Sequence, residues 1–190
     1  MPDLSLLDRL IRHVTSHTPR VEDDPDLIQA AVALVLAPEP ASILLIRRAE
    51  READPWSGQM ALPGGRRDRG DDALLQTALR ETREEVGLQL AAEHLIGALD
   101  DVAPRTSMLP PIMVRPFVFT LPAQKPLRLN REIAHAAWIP LESLLRPGVF
   151  GEYPVVSRGL RMTRAGYRLT QGLVWGMTER VLTRLLDTLR

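Results

Sequence analysis

The pattern of apolar and polar positions predicts several short strands and a smaller number of helices. Two nearly continuous apolar runs, at 28–36 and 42–46, are separated by Pro38-Glu39-Pro40 and indicate a buried hairpin or two neighbouring strands. Strands that alternate with a few helices are typical of an α/β or α+β fold. Further strand-like runs cover 95–99, 112–119 and 134–139.

Helical spacing of apolar residues marks both ends of the chain. An N-terminal amphipathic helix is predicted over about 3–16, and a final helix over 173–189 within a C-terminal extension of about 171–189. A short helix is expected at 140–145.

A central helix follows a long segment without clear periodicity. Residues 49–70 are rich in Pro, Gly and charge, which predicts a loop. Asp71 or Asp72 is the expected N-terminal cap of the helix, which runs to Val86 and stops at Gly87.

Composition narrows the class of protein. The chain has 190 residues, of which 45% are apolar and 25% charged, as is usual for one folded domain. Its 24 basic and 24 acidic residues balance, so a strongly basic nucleic-acid-binding protein is not expected. The first residues lack a signal-peptide pattern, and the apolar runs are too short to cross a bilayer. We therefore expect a cytoplasmic protein that binds neither nucleic acid nor membrane.

Because the chain has no cysteine, carboxylates are the first metal ligands to consider. With no thiolate, a metal must be bound by oxygen or histidine. In the central helix, Glu81, Glu84 and Glu85 fall within one arc of about 100°. Clustered carboxylates repel one another, and a hard cation such as Mg²⁺ or Mn²⁺ removes that repulsion. Arg80 is expected to orient Glu84 through a salt bridge. The helix is anchored by an apolar stripe of Leu75, Leu79, Thr82 and Val86.

An upstream glycine pair completes this candidate site. Gly64-Gly65 permits a close approach of the backbone, so the Gly65 carbonyl is a further candidate ligand. Charge alone would favour a solvated helix face. The combination of the glycine pair with the carboxylates at a fixed spacing favours the metal site.

The segment 62–88 resembles the Nudix box, the signature of the Nudix hydrolases. In that family Gly, five residues, Glu and seven further residues precede Arg-Glu-apolar-any-Glu-Glu-any-Gly-apolar. The second half matches at residues 80–88, apart from Thr82 at an aliphatic position. The first half is one residue longer between Gly65 and Arg80, and Asp72 stands where the family has Glu.

The longer box is similar to that of the coenzyme A pyrophosphatase branch of the family. Residues 58–65 resemble the branch's segment before the box, and 44–49 resemble its arginine-bearing strand end. Residues 175–178 resemble its tryptophan–glycine segment, whereas 138–141 match a general Nudix strand-to-helix junction.

Departures from the branch signature concern a few positions. The branch prefers Thr at Ile46 and Phe at Leu62. It also carries a further arginine that would fall near Ala53 or Asp54, for which Arg51 is a candidate replacement.

The resemblance implies one Nudix domain over 1–190 with a core at about 27–146. Its implied fold is an α/β/α sandwich, in which a mixed β-sheet lies between helices. The implied function is hydrolysis of a pyrophosphate bond in a nucleoside diphosphate derivative, with Mg²⁺ or Mn²⁺ and with coenzyme A or an acyl-CoA as first candidate substrate. ADP-ribose, related derivatives and (d)NTPs are alternatives, and a non-catalytic nucleotide-binding module is an alternative of another class. A homodimer is a family expectation.

Roles for individual residues follow from the same resemblance. Glu81 and Glu85 are the principal predicted metal ligands, Glu84 is a ligand or general base, and Arg80 orients them.

Three further residues are weaker candidates. Arg48 is a candidate phosphate contact or an exposed strand-end charge. Trp56 is a candidate substrate contact, with core packing as the commoner role. Glu132 stands where some family members supply a loop carboxylate, although a plain surface role is commoner for such a residue.

Overall fold

The computed structural model describes residues 5–52, 56–104, 110–157 and 159–189. These ranges contain four α-helices, ten strands and two short 3-10 turns at Ala92–His94 and Asp187–Leu189. In chain order the elements are α1 Leu6–Ser16, β1 Ile28–Ala37, β2 Ser42–Arg48, β3 Met60–Ala61, β4 Gly64–Arg66, α2 Leu74–Val86, β5 Leu95–Ala98, β6 Ile112–Thr120, β7 Ile133–Pro140, α3 Leu141–Leu145, β8 Phe150–Ser157, β9 Leu160–Leu169, β10 Gly172–Trp175 and α4 Met177–Leu186.

The central sheet is mixed. Strand β1 pairs in parallel with β6 along one edge, and its other edge is shared between β2 and β4, both antiparallel. The contact with β2 is confined to positions 36 and 37, next to the turn that joins the two strands. The two strands therefore diverge, and β4 pairs with β1 at positions 30–32 instead. Beyond this opening β2 pairs with β3 and β7, while β5 lies beside β6.

Helices cover both faces of this sheet. Alternate residues of β1 point to opposite sides: Leu34 and Leu36 belong to one apolar cluster, Ala33 and Val35 to the other. The second cluster is covered by α2. The first is covered by residues of α1, α3 and α4. The observed architecture is the α/β/α sandwich that was predicted.

Helices α1 and α2 begin at different residues from those that the sequence pattern predicted. Helix α1 begins after Ser5, whose hydroxyl accepts the Asp8 N–H at 3.2 Å. Helix α2 begins after Ala73, which makes no side-chain capping bond. The prediction of Asp71 or Asp72 as the cap was therefore wrong. The end of α2 at Gly87 was right, because this glycine adopts the left-handed conformation with φ of 72°.

The C-terminal region also departs from the prediction. The expected helix over 173–189 starts as strand β10 and becomes helical only at Met177. Gly176, with φ of 72°, separates the two. Strand β10 pairs with β9, which pairs with β8, in a second antiparallel sheet of three strands. Apolar residues of a short buried strand and of a buried helix are alike in composition, and the partner strand decides between them.

The predicted loop at 49–70 contains strands β3 and β4, which periodicity missed because they are only two and three residues long. Within the described residues, no helix combines the length and the hydropathy needed to cross a bilayer.

Candidate functional site

The candidate site forms where α2 packs against β4. A side chain at Gly64 would overlap the Ala31 carbonyl and Val32 of β1, and the φ of 152° at this position also favours glycine. At Gly65, a Cβ atom would overlap the carboxylate of Glu81. Gly64 therefore lets β4 lie close to β1, and Gly65 lets the backbone of β4 lie directly against the acidic face of the helix.

Glu85 is the most deeply buried carboxylate of the predicted cluster. Its side chain is 3% exposed, and the Gly64 N–H donates to Oε2 at 2.9 Å. Nη1 of Arg48 lies 3.8 Å from Oε1. Burial raises the pKa of Glu85 to about 8, and repulsion from Glu81 adds to this, whereas the Gly64 N–H and Arg48 oppose it. Ionisation of this buried carboxyl group is therefore unfavourable, and a bound cation would offset that cost.

Glu81 and Glu84 lie further out on the same helix. Glu81 is partly buried, and burial raises its pKa against the opposing influence of Arg80. Glu84 is exposed. Nη1 of Arg80 is 2.9 Å from Glu81 and 3.3 Å from Glu84. The predicted salt bridge from Arg80 to Glu84 is present, together with a shorter one to Glu81 that the sequence analysis did not include.

The strongest partner of Arg80 is Asp71. Nε and Nη2 of Arg80 donate to the two oxygens of Asp71 at 3.1 and 2.9 Å. Thr77 and the backbone N–H of Asp68 also donate to this carboxylate. The Arg80 hydrogen bond is the main reason why the pKa of Asp71 lies well below its usual range, and in turn the pKa of Arg80 is raised.

Sequence reasoning missed the role of Asp71. It placed Asp72 at the acidic position of the Nudix box, but Asp72 is exposed, whereas Asp71 is 6% exposed and fixes Arg80. The sequence did carry a signal for Asp71, namely the extra residue between Gly65 and Arg80. This extra residue shifts the acidic position of the box by one, from Asp72 to Asp71.

Glu132 lies at the rim of the site. It forms an ion pair with Arg51 at 3.1 Å, and both side chains are about two-fifths exposed. Its charge contributes to the raised pKa values of Glu81 and Glu85. Two neighbouring backbone bonds fix the segment: Ala49 N–H to the Glu132 carbonyl and Asn130 N–H to the Glu85 carbonyl. The structure thus combines the surface role considered for Glu132 with a position beside the carboxylate cluster.

The two weaker substrate candidates are placed differently. Arg48 lies beside the site, where its guanidinium approaches the Glu85 carboxylate. Trp56 is partly buried, and its carbonyl accepts the Gln59 N–H at 3.2 Å. A substrate-binding role for either residue stays a prediction. The positions near Ala53 and Asp54, where the branch signature has an arginine, lie outside the described residues.

The donor set at this site fits a hard divalent cation. Among the described residues, no three histidine or carboxylate side chains are already gathered as a metal site. Glu81, Glu84 and Glu85 nevertheless supply only oxygen donors, with the Gly65 backbone alongside, and the pKa values of Glu81 and Glu85 are raised. Oxygen donors with excess negative charge suit Mg²⁺ or Mn²⁺. The assignment of these residues as ligands stays a prediction.

Comparison with known proteins defines the class. The family model of the NUDIX domain matches residues 27–158. The uncharacterized Nudix hydrolase NudL of Yersinia pestis is 32% identical over 157 residues, which cover 81% of this chain and 75% of NudL. The uncharacterized protein C14C4.10c of Schizosaccharomyces pombe is 46% identical over 110 residues, which cover 55% of this chain but only 33% of that protein.

A solved structure supports the same fold. A MutT/nudix family protein from Enterococcus faecalis aligns with a TM-score of 0.57 and 18% identity, covering 97% of this chain and 70% of the other. The chain therefore belongs to the Nudix hydrolase family, and the fold class and enzyme family expected from the sequence are confirmed.

Proposed function

We propose that this protein hydrolyses a pyrophosphate bond in a nucleoside diphosphate derivative, in a reaction that depends on Mg²⁺ or Mn²⁺. The observation that carries this proposal is the contact of the acidic face of α2 with β4. There Gly64 donates to Glu85, Gly65 lies against Glu81, and the pKa values of both carboxyl groups are raised.

Each residue has a defined task in this proposal. Glu81 and Glu85 would hold the cation, with Glu84 and the Gly65 carbonyl as further ligands. When bound, such a cation lowers the pKa of the attacking water and offsets negative charge on the departing phosphate. Glu84 is exposed to solvent and is placed either as a ligand or as the base that accepts the water proton.

Arg80 is a positioning residue in the same scheme. Its bidentate contact with Asp71 fixes the guanidinium, which leaves Nη1 directed at Glu81 and Glu84. The two carboxylates are therefore oriented before a substrate arrives. Arg48, held beside Glu85, is proposed to contact a substrate phosphate.

Coenzyme A or an acyl-CoA is the substrate that we propose to test first. The support is the resemblance of residues 44–49, 58–65 and 175–178 to the coenzyme A pyrophosphatase branch. In the structure, β2 and β3 pair at Arg47 and Met60 and carry the first two of these segments together to the site. We further propose that residues 1–190 act as one domain and form a homodimer, which size-exclusion chromatography with light scattering would measure.

A substrate panel tests the function directly. Coenzyme A, ADP-ribose, other nucleoside diphosphate derivatives and (d)NTPs are incubated with Mg²⁺ or Mn²⁺, and products are separated by chromatography. Glu85→Gln is compared with the wild type, and Glu142→Gln on α3 is the matched control, since it removes an exposed carboxylate from a helix on the opposite face of the sheet.

The outcomes of the panel separate the claims. We expect cleavage of a pyrophosphate by the wild type and the control, loss of cleavage in Glu85→Gln, and loss in EDTA. Failure of the wild type to cleave any pyrophosphate overturns the enzymatic proposal and favours a nucleotide-binding module. Cleavage of ADP-ribose but not of coenzyme A overturns only the substrate proposal.

A further inference from the structure

Arg51 is held by a surface ion pair with Glu132, the residue that lies beside the carboxylate cluster. Its Nη1 is 3.1 Å from Oε1 of Glu132, and Nη2 donates to the Arg131 carbonyl at 3.5 Å. Its backbone N–H donates to the Ser57 hydroxyl at 2.8 Å. The Arg51 backbone is therefore fixed to the segment that precedes β3, while its guanidinium extends to the loop before β7.

The side chains of two other arginines at the site are less exposed than that of Arg51. Arg80 donates to Asp71, Glu81, Glu84 and the Arg66 carbonyl, and its side chain is 23% exposed. Arg48 is 24% exposed and lies against buried Glu85. The Arg51 side chain is 42% exposed, and its partner Glu132 is 41% exposed. Of these three guanidinium groups, that of Arg51 is the easiest to move.

We propose that Arg51 binds a phosphate of the substrate and that Glu132 is its partner only while the site is empty. This inference rests on the proposed function, because it assumes that a pyrophosphate occupies the space beside Glu81 and Glu85.

The exchange of partners follows from the chemistry of the groups. An exposed arginine–carboxylate pair is weak because water solvates both charges. A phosphate offers two or three oxygens and more negative charge, and a guanidinium binds it with two parallel hydrogen bonds. The guanidinium of Arg51 can change partner by side-chain rotation, since its backbone anchor to Ser57 does not involve the side chain.

The exchange also has a consequence for Glu132. When Arg51 turns to the phosphate, the charge of Glu132 is no longer neutralised by its ion pair. Glu132 already acts electrostatically on Glu81 and Glu85. The exchange therefore leaves a carboxylate without its ion-pair partner beside the candidate cation-binding face.

The test compares Arg51→Gln with Arg51→Lys and with Arg146→Gln as the matched control. Arg146 is exposed and lies at the end of α3, on the opposite face of the sheet. KM and kcat are measured on a pyrophosphate that the wild type cleaves. The Kd for ADP in Mg²⁺ buffer, measured by calorimetry, is a second readout that does not require turnover.

We expect Arg51→Gln to raise KM and the Kd for ADP by roughly tenfold or more, as is typical of a lost charge-assisted hydrogen bond, with kcat changed less than twofold. Arg51→Lys recovers part of the binding because it keeps the charge without the bidentate geometry. Arg146→Gln stays within about twofold of the wild type.

A double-mutant cycle isolates the exchange itself. If Glu132 competes with phosphate for Arg51, Glu132→Gln tightens ADP binding in the wild-type background, and most of this gain disappears in the Arg51→Gln background. Equal effects of Glu132→Gln in both backgrounds would overturn the exchange. Unchanged KM and Kd in Arg51→Gln would overturn the phosphate contact, even when turnover shows that the proposed function is correct. Calorimetry decides the Arg51 question separately if no pyrophosphate is cleaved.

Discussion

Two partly buried arginine–aspartate pairs in this protein share the same hydrogen-bond geometry but differ in what surrounds them. Arg80 binds Asp71 through Nε and Nη2 at 3.1 and 2.9 Å, and Arg115 binds Asp101 through the same two atoms at 2.9 and 2.7 Å. The arginine side chains are 23% and 24% exposed. The local interaction therefore does not distinguish a functional pair from a structural one.

The difference lies in the remaining hydrogen bonds of each pair. In the first, Nη1 of Arg80 is directed at Glu81 and Glu84, so the pair orients further carboxylates. In the second, Asp101 instead accepts the backbone N–H of Glu22 and donates its own to the Arg20 carbonyl. The Arg115 pair thus joins the connector after α1 to β6. Under the proposed function the first pair arranges charge for a ligand, whereas the second joins two parts of the fold.

The largest expected effect comes from Glu85, which lies one helical turn beyond the Glu81 that Arg80 contacts. Glu85→Gln should lower kcat by about a hundredfold or more, because a neutral amide binds a divalent cation much more weakly than a carboxylate does. Its melting temperature should equal or exceed that of the wild type, since the buried carboxyl group has a pKa raised to about 8 and is costly to ionise. Steady-state kinetics and thermal denaturation measure the two. A variant that loses both activity and stability would show that Glu85 is a structural residue.

Substitution of the two aspartates tests directly how the Arg80 and Arg115 pairs differ. Asp71→Asn and Asp101→Asn should each lower the free energy of unfolding by about 2 kcal/mol, which is less than for a fully buried pair because both arginines are partly exposed. Only Asp71→Asn should also lower kcat, by roughly tenfold, because only Arg80 orients Glu81 and Glu84. Urea unfolding measures the free energy of unfolding, and steady-state kinetics on the same preparations measures kcat. Equal kcat in the two variants would remove the functional distinction between the pairs.

The pH dependence of stability follows from the pKa of Asp71. Its pKa in the folded protein is below the unfolded value of 3.8, so its contribution to stability is complete above that value and is lost as the pH falls below it. The difference in unfolding free energy between the wild type and Asp71→Asn should therefore be constant from pH 7 to about 5 and shrink towards pH 2. Urea titrations at several pH values measure it. A difference that grows on acidification would contradict the assigned ion pair.

The smallest effect is expected at Gly65. Gly65→Ala places a Cβ against the Glu81 carboxylate, which must move by rotation of its own side chain. We expect a loss of stability of about 1 kcal/mol and a severalfold decrease in kcat. Gly70→Ala is the matched control, because a Cβ at Gly70 contacts none of the described neighbours within 4 Å. Unchanged kinetics in Gly65→Ala would show that the position of Glu81 is not critical.

The carboxylates of the candidate site could be placed on one helix face from the sequence alone. Residues 80–86 are contiguous on one helix, so their spacing brings Glu81, Glu84 and Glu85 together, and their role as metal ligands stays a prediction. The predicted apolar stripe was only partly right. Its members Thr82 and Val86 are buried, but Leu75 and Leu79 are only partly so, and Glu85, which was not assigned to the stripe, is buried. Periodicity reports which residues share a face, but the packing of α2 on β1 and β4 decides how deep each one lies.

Sequence alone determined the central strands, helix α2, its end at Gly87 and the association of a glycine pair with an acidic helix. These features depend on local spacing and on backbone conformations that few residues adopt. Tertiary structure decided that Asp71 rather than Asp72 binds Arg80, that Glu132 meets Arg51, and that residues 172–175 form a strand. The first depends on the path of the loop before α2, the second on a partner from a distant part of the chain, and the third on pairing with β9, and spacing along the sequence records none of these.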